Sequence, residues 1–178
     1  MPYTIEEHIH RFAAWAAGRA SSVKGCRFSI EQGRSILEKV GLRNLLSDPN
    51  NLPSPEDFNA VHRRWRQEVI NASREYGLLF THGVAAKLIN TYLKVVFVCG
   101  GYHRHKNVQA IHPPIDSVLL DELFKENFGG LRKEWNKARQ TRWSKFNSEQ
   151  YETVIRNIRN AIQGKPLWMA EQFWKGYR

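Results

Sequence analysis

The stretch GVAAKLINTYLKVVFVC, from Gly83 to Cys99, decides how this chain folds. Val84, Leu88, Ile89, Tyr92, Leu93, Val95, Val96, Phe97 and Val98 surround most of a helix drawn through it, so that helix belongs in a core. Lys87, Asn90, Thr91 and Lys94 stand at i, i+3, i+4 and i+7, which places all four on one face. Two ammonium groups on a buried helix are costly unless that face meets a carboxylate, a cleft or water. Downstream, His112-Pro113-Pro114-Ile115-Asp116 is a stiff turn ending in a carboxylate. The polar stripe and this turn are expected to form two walls of one site.

Outward from this helix the pattern is helical throughout. Thr4 with Glu7 is a capping box opening a helix to about Ala20, with Ile9, Phe12, Ala13 and Ala16 expected inward. Ser29 with Gln32 opens a second helix through Ile36, Leu37 and Val40, stopped by Gly41. Ser54, with Pro55 at the first helical position, is expected to start a helix reaching Tyr76 and closed by Gly77. Gly100-Gly101 ends the central helix, and Tyr102 to Ile111 reads as a basic loop. Asp116 or the paired prolines start a helix carrying Val118, Leu119, Leu120, Leu123 and Phe124. A basic helix with Trp135 and Trp143 follows, then one capped by Ser148 with Tyr151, Val154, Ile155, Ile158 and Ile162, and a last one from Pro166. No period-2 strand pattern stands out. The expectation is an all-α protein: a compact multi-helix domain of about seven or eight helices around buried helix 83–99. Residues 1–178 form either one domain or two lobes sharing one core.

The 178 residues carry a net charge of +10, and the pI is near 9.9. Such a field attracts polyanions, and nucleic acid, DNA or RNA, is the partner it suggests. No run approaches the roughly eighteen apolar residues of a membrane span, so no membrane partner is expected. The start of the chain does not read as a signal peptide, and Cys26 and Cys99 offer no disulfide framework, so a reducing cytoplasm is expected. Nothing in the sequence calls for a cofactor, and the oligomeric state is left open.

Several side chains are candidates for chemistry. Lys87, at the start of a buried helix, has the setting in which an amine loses its proton and becomes a nucleophile. The alternative is a stem that reaches the surface or a structural pair with a carboxylate. Asp116 reads as an N-cap, and a carboxylate so held also suits stabilisation of a developing cation. Asn90, Lys94, His112 and Tyr92 are the candidate substrate contacts: Asn90 to orient Lys87 or hold substrate, Lys94 for a phosphate, and Tyr92, Trp65 or Trp143 for stacking on a base. His103, His105 and His112 lack the spacing of a metal site, and phosphate binding by Arg104 and Lys106 beside them is the better reading. Arg63, Arg64 and Arg66 around Trp65, and Lys137, Arg139 and Arg142 between Trp135 and Trp143, combine cations with aromatics as nucleic-acid surfaces do. The same helices also read as amphipathic elements with their tryptophans in the core.

With those residues in place, the order helix, short hairpin, helix and downstream Asp-capped helix resembles the helix-hairpin-helix DNA glycosylase superfamily. Gly83-Val84-Ala85-Ala86-Lys87 is similar to that family's Gly-Val-Gly-x-Lys hairpin, with Ala85 at the second glycine. The resemblance implies that Lys87 attacks the sugar carbon as the base leaves, that Asp116 stabilises positive charge on the sugar ring, and that Gly83 lies at a DNA-contacting hairpin. It also implies a flipped base or an abasic site as substrate. Lys87 and Asp116 are 29 residues apart, so the Tyr102 to Ile111 loop would be an insertion. Two non-catalytic readings stand beside it: a nucleic-acid-binding module with Lys87 and Asp116 in a structural salt bridge, and an interaction domain docking through Trp168, Phe173 and Trp174.

Overall fold

The computed structural model describes residues 2–46 and 48–177. Among the described residues eight α-helices follow one another: α1 (Ile5–Ser21), α2 (Ile30–Lys39), α3 (Phe58–Arg74), α4 (His82–Leu93), α5 (Lys106–Gln109), α6 (Ser117–Lys125), α7 (Arg132–Gln140) and α8 (Ser148–Ile162). Short 3-10 turns lie between α2 and α3, between α6 and α7 and between α7 and α8, and another, Leu167–Phe173, follows α8. Among the described residues there is no β-strand, only an isolated bridge between Val23 and Cys26. The protein is all-α.

The helix starts follow from capping. Ser29 Oγ accepts from Gln32 N–H while the Gln32 side chain receives Ser29 N–H. Asn147, one residue before the expected Ser148, closes the same reciprocal box with Gln150. Asp116 caps α6 by accepting from Leu119 N–H at 2.9 Å. Each such cap is worth about 1 kcal/mol. α3 begins later than Ser54, because Ser54 Oγ accepts from Asp57 N–H in a turn ahead of the helix.

The central helix is longer than one α-helical run. α4 passes at Lys94 into a π-helical segment, Lys94–Tyr102, broken at Gly101, whose φ of 94° is left-handed. The whole span His82–Tyr102 is long and apolar enough to cross a membrane by composition, and 67% of its most apolar window is buried by the other helices. The expected basic loop after it contains the short helix α5.

Two apolar clusters meet at α4. One gathers Ala13, Ala14 and Ala17 of α1, Ile36 and Leu37 of α2, Val69 of α3, and Val84, Leu88, Ile89, Tyr92 and Leu93 of α4. The other gathers Leu119, Leu120 and Leu123 of α6, Trp135 of α7 and Tyr151, Val154, Ile155 and Ile158 of α8, with Ala86 as the contribution of α4. Phe12 is not inward as expected; it is 55% exposed and stacks on Trp15, while alanines at 13, 14 and 17 let α1 lie close against α4.

Candidate functional site

The polar stripe of α4 enters the structure as two adjoining networks. At its N-terminal end Lys87 Nζ lies 3.0 Å from Asp116 Oδ2, and the two side chains are only 9% and 14% exposed. Asp116 is held from both sides: Oδ1 caps α6, and Oδ2 also accepts from the Trp174 indole N–H at 3.0 Å. The Trp143 ring covers the ammonium at 4.4 Å. Two turns further, Lys94 Nζ pairs with Glu171 at 2.5 Å and lies 5.6 Å from the Trp174 ring. Burial lowers the pKa of Lys87 below that of an ordinary lysine, against the pull of Asp116. Burial likewise raises the carboxyl of Glu171, opposed by Lys94. The amine is thus surrounded by carboxylates and indoles in a dry setting, and the C-terminal turn closes it in.

Gly83 explains how Trp143 reaches that position. Its N–H donates to Phe146 O at 3.1 Å, and a Cβ there would stand 1.9 Å from Trp143 O. Thr81 reinforces the approach by capping α4 and donating to Ser144 O at 2.8 Å. The hairpin glycine is therefore required for the close passage of residues 143–146 over the α4 N-terminus. Its amide is spent on Phe146 and has no hydrogen left for a phosphate.

The second network lies beneath Asn90. Its Oδ1 accepts from His62 Nε2 at 2.7 Å, and its Nδ2 donates to Pro113 O and to the Tyr151 hydroxyl. The Tyr151 hydroxyl then donates to His112 Nδ1, and His112 Nε2 donates to Asn59 Oδ1. Asn59 Oδ1 receives a second donor, Arg159 Nη2, at 3.1 Å. These acceptors fix both imidazoles as neutral Nε2–H tautomers. Their pKa values agree in direction: burial takes His62 down to about 3 and His112 well below the ordinary histidine value. The two rings pack 4.4 Å apart. Beside them Arg66, 1% exposed, lies over the Tyr151 ring at 4.4 Å and donates to Glu152 and Ser148. Arg63 makes two further bonds to Glu152. Those bonds, Arg63 foremost, hold Glu152 down at about 2.

The structure therefore brings Lys87, Asp116 and Lys94 together as one wall-to-wall site, with Asn90 and His112 in the adjoining network. Three expectations need correction. Tyr92 is fully buried and bonded to His10 Nδ1, so it is no platform for a base. Asn90 spends its hydrogen bonds on His62, Pro113 and Tyr151 and does not orient Lys87. Arg66 is a buried arginine fixed to Glu152, not a member of a surface cluster. Arg64, Arg104, Lys106, Lys137 and Arg142 are exposed, and Arg139 is engaged with Asp121. Trp168, Phe173 and Trp174 are half-buried and form no exposed patch. The described residues contain no grouping of three or more His, Cys, Asp or Glu side chains able to hold a metal.

Comparison with protein-family models, curated proteins and solved structures gives no match.

Proposed function

We propose that this protein binds DNA and acts on a damaged or modified base as a glycosylase and lyase, with Lys87 as the amine nucleophile and Asp116 as its carboxylate partner. The observation that carries the reading is the 3.0 Å contact between a buried, pKa-lowered lysine and a capping aspartate, bracketed by the indoles of Trp143 and Trp174. Burial lowers the amine of any lysine so placed, and in this reading the lowered amine serves as the nucleophile. Aromatic faces beside the amine suit a base taken out of its stack, and the +10 charge suits the polyanion that carries it.

The step balances on this chain's groups. Lys87 gives its proton to Asp116, and its lone pair forms a bond to the sugar C1′. The N-glycosidic bond breaks, and the base leaves with that bond's electron pair and takes the proton held by Asp116. The new C1′-bound ammonium passes one proton to O4′ as the sugar ring opens, leaving a protonated imine. Loss of a C2′ proton then expels the 3′-phosphate by β-elimination, and water hydrolyses the imine to return the amine. A nucleotide reaches Nζ only after the C-terminal turn or the 143–146 segment draws back. The two unpaired cysteines, Cys26 and Cys99, suit the reducing cytoplasm.

A second reading is favoured by one observation: Trp174 seals the pair through its bond to Asp116. There Lys87 and Asp116 form a clasp in a non-catalytic nucleic-acid-binding module. The test is base release and strand scission on duplexes that are intact or contain uracil, oxidised guanine or an abasic site, with Lys87→Gln alongside. Scission lost in the folded variant supports the enzyme. Binding to every duplex alike, with neither base release nor scission, supports the module.

A further inference from the structure

A cavity of about 200 Å³ opens between α3 and α8, lined by Asn59, His62, Arg63, Arg66, His112, Glu152, Ile155, Arg156 and Arg159, and the proposed reaction makes no use of it. From its lining we infer that this cavity is a seat for a phosphate group.

The charge balance comes first. Four arginines face one carboxylate, and the two histidines of the floor are neutral and committed to Asn90, Tyr151 and Asn59. Glu152 is shared by Arg63 and Arg66. Among the described residues, neither Arg156 nor Arg159 has a carboxylate within ion-pair distance; Arg156 donates to Thr153 Oγ1 and Arg159 to Asn59 Oδ1. Two positive charges on one wall are therefore uncompensated, beside a pair that Glu152 only half neutralises. An anion with more than one charge is what such a wall attracts.

Unspent hydrogen-bonding capacity comes second. Arg66 is 1% exposed and donates only through Nη2; its Nε and Nη1 are buried without a partner. A buried guanidinium with unmet donors is costly. Glu152 caps one edge of it, and because Nε and Nη1 lie below the water-accessible surface, an anion meets them only if the Arg66 side chain shifts toward the cavity; as placed, the guanidinium adds its charge to the wall. Asn59 accepts two bonds through Oδ1, which leaves its NH₂ at the rim. Volume comes third. The cavity, about 200 Å³ and open to solvent, has room for a phosphate.

A phosphate here has two sources: the terminal phosphate of a nucleic-acid strand, which deepens the proposed function, or free inorganic phosphate, which is independent of it. The test is a melting-temperature titration with inorganic phosphate against sodium chloride at equal ionic strength. It uses the full chain, the variant Arg156→Gln with Arg159→Gln, and the charge-matched control Lys133→Gln with Lys137→Gln. All four positions are exposed, so the folds should survive. The expected result is a saturable rise in the full chain and the control, with affinity at least about tenfold weaker in the arginine variant. An equal response in all three proteins, or one reproduced by chloride, overturns the proposal. Oligonucleotides with and without a 5′-phosphate assign the source. Tighter binding of the phosphorylated strand, lost in the arginine variant, identifies the strand end; a phosphate response without that difference identifies free phosphate. The saturable phosphate response is read at Arg156 and Arg159, not at Lys87, so loss of the glycosylase reading does not remove the seat.

Discussion

The buried histidine pair makes the protein acid-sensitive above the carboxylate range. His62 and His112 are neutral in the folded state, with His62 at about 3 and His112 also far down, because burial and the nearby Arg66 and Arg159 oppose a further charge. In the unfolded chain both return to about 6.5. The sign follows: between those values the unfolded state binds more protons, so stability falls as pH falls. For one histidine held neutral, lowering the pH from 7 to 5 costs about 2 kcal/mol, and the pair together costs about 4 kcal/mol. That is a large part of the 5–15 kcal/mol that typically holds a domain together. His82, whose pKa burial also lowers, adds to the slope. Glu171 opposes it, since its raised carboxyl favours the folded state as pH falls. Glu152 and Glu122, both down at about 2, contribute mainly below pH 5 and do not confuse the window. The assay is urea unfolding at pH 8, 7, 6 and 5, for the wild type and His112→Gln. The wild type should lose stability steadily below pH 7, and the variant should show about half that slope. A wild-type free energy that is flat from pH 7 to pH 5 would refute the assignment of two neutral imidazoles.

Other outcomes follow from the same geometry. Gly83→Ala puts a methyl 1.9 Å from Trp143 O, so it should destabilise by about 2–3 kcal/mol in urea unfolding and shift tryptophan fluorescence as residues 143–146 are displaced. Asn90→Leu leaves His62 Nε2 and the Tyr151 hydroxyl short of a partner, and its unfolding free energy should drop by about 3 kcal/mol or more. Trp174→Ala should raise the rate at which trinitrobenzenesulfonate modifies Lys87, read by peptide mass spectrometry. In the wild type the pH midpoint of that reaction should lie below the ordinary lysine value, because burial disfavours the ammonium, and it should move toward that value in the variant.

What the sequence told, and what it withheld, divides by distance along the chain. Caps are local: Ser29 with Gln32 and Asp116 with Leu119 N–H lie three residues apart, so their chemistry is written in adjacent letters. The all-α class followed from the same local patterns. The pairing of Lys87 with Asp116 was legible because a lysine on an apolar helix needs a carboxylate and a stiff turn offered one. The bonds of Arg66 to Glu152 and Asn90 to Tyr151 span 86 and 61 residues, and nothing near either partner announces them. Arg66 sat among exposed arginines in the sequence and differs only because it faces Tyr151. Trp174 read as a docking aromatic until the last turn placed its N–H on Asp116. Phe12 went outward because the alanines beside it, not aromatic bulk, let α1 pack against α4.

The central claim is that Lys87 is an amine nucleophile toward a DNA sugar. Sodium borohydride added to the protein on an abasic duplex reduces any imine to a stable secondary amine, and peptide mass spectrometry then locates it. A covalent protein–DNA adduct on Lys87, absent from folded Lys87→Gln, is the expected result. No adduct, or one on another lysine that survives in Lys87→Gln, would contradict it and leave the Lys87–Asp116 pair as a clasp.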